Sequence, residues 1–394
     1  MRFSELIGHK SVQHHLTGMV KGNRLSHALL FLAHEGTGGL PLALAFSQYL
    51  VCEKVNSPSS EPSLFGEAEP LEIPDEACGQ CPSCLKAAEM IHPDIHYTYP
   101  VIPKKTGDKP ISADFIAEWR TFIKKQPYAS VFDWLQFIGA DNKQGNITAK
   151  ECSEIGRKLN LKSFESVNKI LIIWMPEYLD KEGNKLLKII EEPPANTIFI
   201  LVAEEESKIL PTILSRTQLV KIPQLENKEI EEALLLAGAP AESARKAASM
   251  AEGNYHEAVQ LLEHSDNDWE EMIRSWLNAA LKTGPAEQIK WSNDAAALGR
   301  EKQKQLLRYF NHLLEIAIRL PILGKDQLHV PENESDFALR INKLTNVSQQ
   351  QAIIKELDNA VYYIERNANP KLLFQALTIK LYHIIKNKAV VEIN

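Results

Sequence analysis

The chain of 394 residues carries 44% hydrophobic side chains, ample for two or three domains with real cores, and a net charge of −7. That balance argues against a protein that grips nucleic acid unaided, which needs a basic face, while leaving room for a local basic patch. No apolar run approaches the ~18–20 residues of a membrane span, and the opening MRFSELIGHK lacks the apolar core of a signal peptide, so a cytoplasmic protein without membrane contact is expected. In a reducing compartment the five cysteines read as metal ligands or free thiols rather than disulfides.

Residues 1–24 form an amphipathic lead-in, with Phe3, Leu6, Ile7, Val12, Leu16, Met19 and Val20 at helical spacing. The apolar run 28–32 suits a buried strand, a turn follows at Gly36, Gly38 and Gly39, and a helix runs over about 41–51. Strand, glycine turn and helix is the layout of a phosphate-binding P-loop. The chemistry of a working one is missing. Laid on residues 33–40, its first Gly is Ala33, its Lys is Gly39 and its Mg²⁺-binding hydroxyl is Leu40. Glu35 adds negative charge where phosphates would lie. On this stretch alone, Gly36, Thr37, Gly38 and Gly39 read equally as a degenerate phosphate cradle or as a glycine turn with no nucleotide history.

Residues 53–77 are acidic and rich in Pro and Ser, a mobile insertion or plain solvated loop. Next come Cys78, Cys81 and Cys84, three apart, with Cys52 ending the preceding helix. A C-x-x-C turn puts two thiolates on one side of a tight loop, and Gly79 and Pro82 favour such turns. Four cysteines match a closed structural Zn²⁺ site with no open position for chemistry. His92 is a candidate substitute ligand, and unligated loop cysteines are the plain alternative.

A strand over 95–101 is ended by Pro100 and Pro103. Residues 112–137 read as helical, with Trp119, Phe122 and Ile123 facing inward and Phe115, Phe132, Trp134 and Phe137 assigned to core. An amphipathic helix over 147–161 buries Ile147, Ile155 and Leu159 and carries Cys152 as a free thiol without a role. The continuous apolar run from Lys169 suits a parallel strand buried on both faces. In a P-loop ATPase this strand ends in Asp-Glu; here Trp174 and Met175 take those places, and Glu177 is out of register behind Pro176. A helix over 184–190, a strand over 197–202, a short helix or turn over 208–214 closed by Ser215-Arg216-Thr217, and a strand over 219–222 follow. Strands alternating with helices imply a doubly wound parallel α/β sheet. Beyond 223 only helical periodicity remains, with stripes at Leu306, Phe310, Leu313, Ala317 and Leu320; at Ile354, Leu357, Val361 and Ile364; and at Leu373, Leu377, Leu381 and Ile384.

Taken together, these pieces resemble the delta-prime family of bacterial DNA polymerase III clamp-loader subunits, in the AAA+ superfamily. The resemblance covers nearly the whole chain. It is carried by HALLF with the defective P-loop, by Cys52 and the C-x-x-C-x-x-C run with His92-Pro93-Asp94, by NKLLKIIEEPP from Asn184 to Pro194, and by Leu214-Ser215-Arg216-Thr217. NANPKLL from Asn367 is a weaker match to the family's collar. The resemblance implies an AAA+ core over 1–223, a helical lid over 224–264 and a helical collar over 265–394 that joins a five-subunit ring with gamma/tau and delta subunits. It implies that gamma/tau hydrolyse ATP while this chain is a stator, binding ATP weakly or not at all. Sliding clamp and primer-template DNA would be met only indirectly. Arg216 would be an arginine finger for the neighbouring gamma site, with Thr217 replacing the family's Cys and leaving the guanidinium chemistry untouched. His256 would replace the Arg of the second nucleotide sensor. The insertion and the stretch 102–140 are longer than the family pattern.

Without the resemblance, Arg216 reads as a surface arginine in a turn. Two rival functions are an active ATPase of the gamma/tau type, which needs a Lys near Gly39 and an acid at Trp174 or Met175, and a stand-alone zinc-bearing nucleic-acid binder, which lacks aromatic residues interleaved with basic ones.

Overall fold

The computed structural model describes all residues except 57–72, 106, 141–144, 264–268, 283, 325–331, 366–367 and 388–394, so most of the acidic insertion lies outside the described residues. Contacts divide the chain into two compact units, Met1–Leu262 and Glu263–Asn394.

In the first unit β1 (Ala28–Leu32), β2 (Ile95–Thr98), β3 (Lys169–Trp174), β4 (Thr197–Ala203) and β5 (Gln218–Lys221) form a wholly parallel sheet in the order β2-β3-β4-β1-β5. Every residue of β3 and β4 is buried, which is why both read as unbroken apolar runs. Alternate side chains serve opposite faces. Leu29, Phe31, Ile170, Ile172 and Ile200 join one core, and Leu30, Leu171, Ile173, Phe199 and Leu201 the other.

Helices α1 (Lys10–Lys21), α2 (Gly39–Val51), α3 (Glu53–Asn56), α4 (Pro82–Ala88), α5 (Ile116–Lys125), α6 (Val131–Phe137), α7 (Ala149–Leu159), α8 (Leu187–Glu191) and α9 (Pro211–Leu214) flank the sheet, and α10 (Asn227–Leu236), α11 (Ala241–Met250) and α12 (Tyr255–Glu263) follow it. The helical stretch expected over 112–137 is divided into a 3-10 turn, α5 and α6. Pro127 disfavours helix at Gln126, and Ser130 restarts it with a capping box: its Oγ accepts from Asp133 N at 3.2 Å while Asp133 Oδ2 accepts from Ser130 N at 2.9 Å. Phe115, Trp119 and Trp134 are core as expected, but Phe137, at the end of α6, is 45% exposed. The expected helix over 184–190 is likewise shortened to α8. It follows a 3-10 stretch, Pro176–Leu186, that breaks at Asp180 (φ 43°), where Gly183 is wedged against Leu210 and Ile213.

The second unit is helical throughout its described residues: Trp269–Leu281, Pro285–Ala296, Arg300–Leu323, Glu332–Leu344, Val347–Glu365 and Pro370–Lys386. Trp276 stacks on Trp291 at 4.4 Å and donates its indole N–H to Thr378 Oγ1 at 2.8 Å. The inner faces of its last two helices are shifted from expectation. Ile353, Leu357, Ala360 and Ile364 point inward rather than Ile354 and Val361, and Phe374 is buried in place of Leu373. Among the described residues no helix is long and apolar enough to cross a membrane.

Candidate functional site

The glycine turn between β1 and α2 is built as a phosphate cradle would be, with Gly36 (φ 68°) and Gly38 (φ 101°) in the left-handed region. Its surroundings differ. Residues 36–40 are all buried. At Gly39, which the P-loop pattern aligns with the Lys, a Cβ would lie 2.5 Å from the Ala33 Cβ and 3.2 Å from Val202 Cγ1, so neighbouring side chains occupy the space it would need. Leu40, at the hydroxyl position, is in the core. At the acid positions, Met175 is buried and Trp174 packs at 5.3 Å against Trp119 of α5, inside a cluster where Trp119 stacks on Tyr99 at 4.0 Å and Trp134 meets both edge-on at 5.2 Å. Glu177 does not face the turn; it caps the end of β4, accepting the Glu204 and Glu205 amides at 2.6 and 2.9 Å.

What covers the turn comes from three places. His9 Nε2 donates to the Thr37 carbonyl at 2.5 Å. Tyr128, between α5 and α6, lies over Gly38, its Cε1 2.9 Å from where a Cβ would be. The start of α12 lies over Gly36: Tyr255 N donates to the Gly36 carbonyl at 3.1 Å, and a Cβ at Gly36 would fall 1.7 Å from Asn254 Oδ1. His256, on α12, is paired with Asp133 of α6, Nε2 to Oδ2 2.9 Å. Burial alone would raise the Asp133 carboxyl, but its hydrogen bond and charge interaction with His256, with Ser130 behind, hold it below the ordinary range. Tyr128 and Asp133 carry no recognisable site pattern. The capping box at Ser130 was the one local signal in their neighbourhood.

The four expected metal ligands do converge. The Sγ atoms of Cys52, Cys78, Cys81 and Cys84 all lie within 4.8 Å of one another, no disulfide joins them, and His92 is outside the group. Tetrahedral thiolates around an ion with ~2.3 Å bonds stand about 3.8 Å apart, and Cys78 Sγ lies 3.9 Å from Cys84 Sγ. Gly79 (φ 69°) makes the C-x-x-C turn, and backbone N–H groups are aimed at sulfur: Cys78 N at Cys52 Sγ (3.3 Å), Cys81 N at Cys78 Sγ (3.3 Å) and Cys84 N at Cys81 Sγ (3.4 Å). Against the upward push of burial, such N–H groups draw the Cys78 thiol down to about 6, whereas burial raises Cys84 and Cys81. Gathering thiolates here favours a bound dication. His92 is buried, with Nε2 3.8 Å from Glu165 Oε1. Beside it Asp94 gathers the backbone N–H groups of Phe164, Glu165 and Ser166 at 2.6–2.8 Å. Cys152 is buried in α7, its thiol 3.6 Å from the Glu182 carbonyl.

Arg216 lies in the turn between α9 and the edge strand β5. Its Nε and Nη2 both donate to Glu191 Oε2 at 3.2 Å, and Nη1 donates to the Thr212 carbonyl at 3.0 Å. The side chain keeps 32% of its surface exposed.

A family model described as "DNA polymerase III, delta subunit" matches residues 8–226. The chain is 28% identical to the DNA polymerase III subunit delta' of Bacillus subtilis (strain 168) over 62% of its length and 56% of that protein's. It is 25% identical to the subunit delta' of Escherichia coli (strain K12), covering 52% and 44% of the two chains. With the DNA polymerase III subunit tau of B. subtilis the identity is 24%, over 80% and 46%. The chain thus spans about half the length of the relatives it matches. With the family model covering more than half of the residues, this chain belongs to the DNA polymerase III delta-subunit family, on its delta-prime side.

Proposed function

We propose that this chain is a non-catalytic, stator subunit of a DNA polymerase III clamp loader. In this reading residues 1–223 are an AAA+ core, 224–264 a lid and 265–394 a collar that joins gamma/tau and delta subunits in a five-subunit cytoplasmic ring, which loads the sliding clamp onto primed DNA. Gly39 carries the non-catalytic half: the position of the phosphate-binding lysine is filled by Ala33 and Val202. Leu40 offers no hydroxyl to Mg²⁺, and Trp174 and Met175 no carboxylate. Phosphoryl transfer rests almost wholly on positioning and charge neutralisation, so nothing here would stabilise its transition state.

Arg216 supports the other half. A guanidinium keeps its charge and meets phosphate oxygens with a planar fork. It is held in a short turn beside the sheet's edge strand, bonded to Glu191 and the Thr212 carbonyl, with about a third of its side chain exposed. A bound Zn²⁺ at Cys52, Cys78, Cys81 and Cys84 would neutralise thiolate charge and tie the end of α2 to α4, a structural and not a catalytic part. The test is steady-state ATP hydrolysis in a complex reconstituted with gamma/tau and delta. The chain alone should not turn over ATP, and Arg216→Ala should slow hydrolysis at the adjoining site and impair clamp loading while the ring still assembles. Normal rates in an assembled Arg216→Ala ring would return Arg216 to a surface arginine.

The rival reading, an active ATPase of the gamma/tau type, has the similarity to tau in its favour. It requires an acid and a lysine that the sequence does not supply.

A further inference from the structure

We propose that the segment 112–137 is a latch that fixes the α10–α12 lid over the glycine turn, so that the chain's own side chains fill the place a nucleotide would take. The inference rests on the non-catalytic reading and deepens it by giving the long 102–140 stretch a task.

Two layers of contact carry it. The first is direct filling. Asn254 Oδ1 accepts the Glu257 N–H at 3.0 Å as the cap of α12, and the same oxygen occupies the space beside Gly36 where any larger residue would place a Cβ. Tyr255 N then bonds the Gly36 carbonyl. A helix start is therefore seated in the turn by a backbone hydrogen bond and by a contact only glycine permits. The second is the latch. Tyr128 is pinned from below, its hydroxyl accepting the Ile7 N–H at 2.9 Å, and meets the Tyr255 ring edge-on at 5.1 Å. Five residues on, Asp133 grips His256 with both side chains largely shielded, at 21% and 12% exposure respectively. The two grips come from one capped turn, residues 126–133, whose base is the buried Tyr99–Trp119–Trp134 cluster. The segment thus has a rigid root in the core and two side chains on the lid.

The chemistry also explains why the second-sensor position is a histidine. A residue reaching for phosphate would point into the turn; His256 turns sideways to a carboxylate that the inserted segment provides. Lid and core then move as one body, with no nucleotide needed to draw them together.

Hydrogen–deuterium exchange on the full-length chain tests this, with Asp133→Asn and Tyr128→Ala as variants. Asparagine keeps the size and the cap on Ser130 but removes the charge facing His256. Removing the charge from this shielded pair should speed exchange about tenfold in 36–40 and 253–262 together, leaving 78–88 at the wild-type rate. Should Tyr128→Ala fail to fold, Asp133→Asn decides alone. Wild-type exchange in both segments of a folded Asp133→Asn variant overturns the latch. Turnover of ATP by the wild-type chain would instead overturn the non-catalytic reading, and the two failures are read in separate measurements.

Discussion

The guanidinium of Arg216 holds the Glu191 carboxylate through both Nε and Nη2 at 3.2 Å, joining the turn before the edge strand to the last residue of α8. The partners come from the two sequence stretches most specific to the family resemblance, NKLLKIIEEPP and LSRT. With Glu191 more than half exposed, the pair contributes only about 0–1 kcal/mol to stability. Its consequence is orientation. Glu191→Gln and Arg216→Lys should each melt within a few degrees of wild type. If Arg216 is the finger proposed above, Arg216→Lys should nonetheless support little of the hydrolysis at the neighbouring site, because a point charge cannot reproduce the fork. Full activity of the Lys variant in the reconstituted ring would show that charge alone suffices.

Elemental analysis of protein purified without chelator should find about one zinc per chain, the stoichiometry of a closed four-thiolate site. Cys84→Ser should lower that content and shift the melting of the first unit down by several degrees, since metal binding to such a site is also folding free energy. Full zinc content in Cys84→Ser would remove that residue from the ligand set.

Restoring the missing lysine should not restore an ATPase. A Cβ at Gly39 meets the Ala33 methyl at 2.5 Å, and that group has no rotamer by which to withdraw. Gly39→Lys is expected to cost on the order of 1–3 kcal/mol, the usual range for overpacking, with no gain in nucleotide turnover. Denaturant unfolding and an ATPase assay on the same preparation check both halves.

Acid should loosen the seating of α12 over the glycine turn. Despite burial, Asp133 is held below its ordinary range by His256 and Ser130, so its contribution is fully present above the unfolded value of about 3.9 and is lost as pH falls through the lower folded value. Exchange in 253–262 should therefore rise below about pH 4 in the wild type and show a weaker acid dependence in Asp133→Asn. Identical profiles would mean that another group governs the α12 contact.

Much of this was written locally in the chain. β3 and β4 read as unbroken apolar runs because both faces of a parallel sheet are covered, and the cysteine spacing located the cluster because C-x-x-C geometry is set within four residues. Pro127 and the Ser130–Asp133 capping box also announce the break between α5 and α6, a signal masked by the aromatic periodicity on either side. The one-residue shift to Ile353 and Ala360 arises because neighbouring apolar residues, Ile353 and Ile354, fit two adjacent stripes equally, and packing chooses. The pairs Asp133–His256 and Tyr128–Tyr255 leave no local trace. Their members stand more than a hundred residues apart, and each alone is an ordinary surface or core residue.

Gly39 has a historical consequence. If the turn descends from a working phosphate cradle, the Ala33 and Val202 side chains now stand where the first atoms of the lysine side chain would be, and Trp174 is packed against Trp119. A single reversion would then meet a collision before it met a phosphate. Recovering such chemistry would take concerted change at Ala33, Gly39, Leu40, Trp174 and Met175. In such a lineage the Ala33 methyl would act as a ratchet: close packing at Gly39 stands in the way of a return by one substitution.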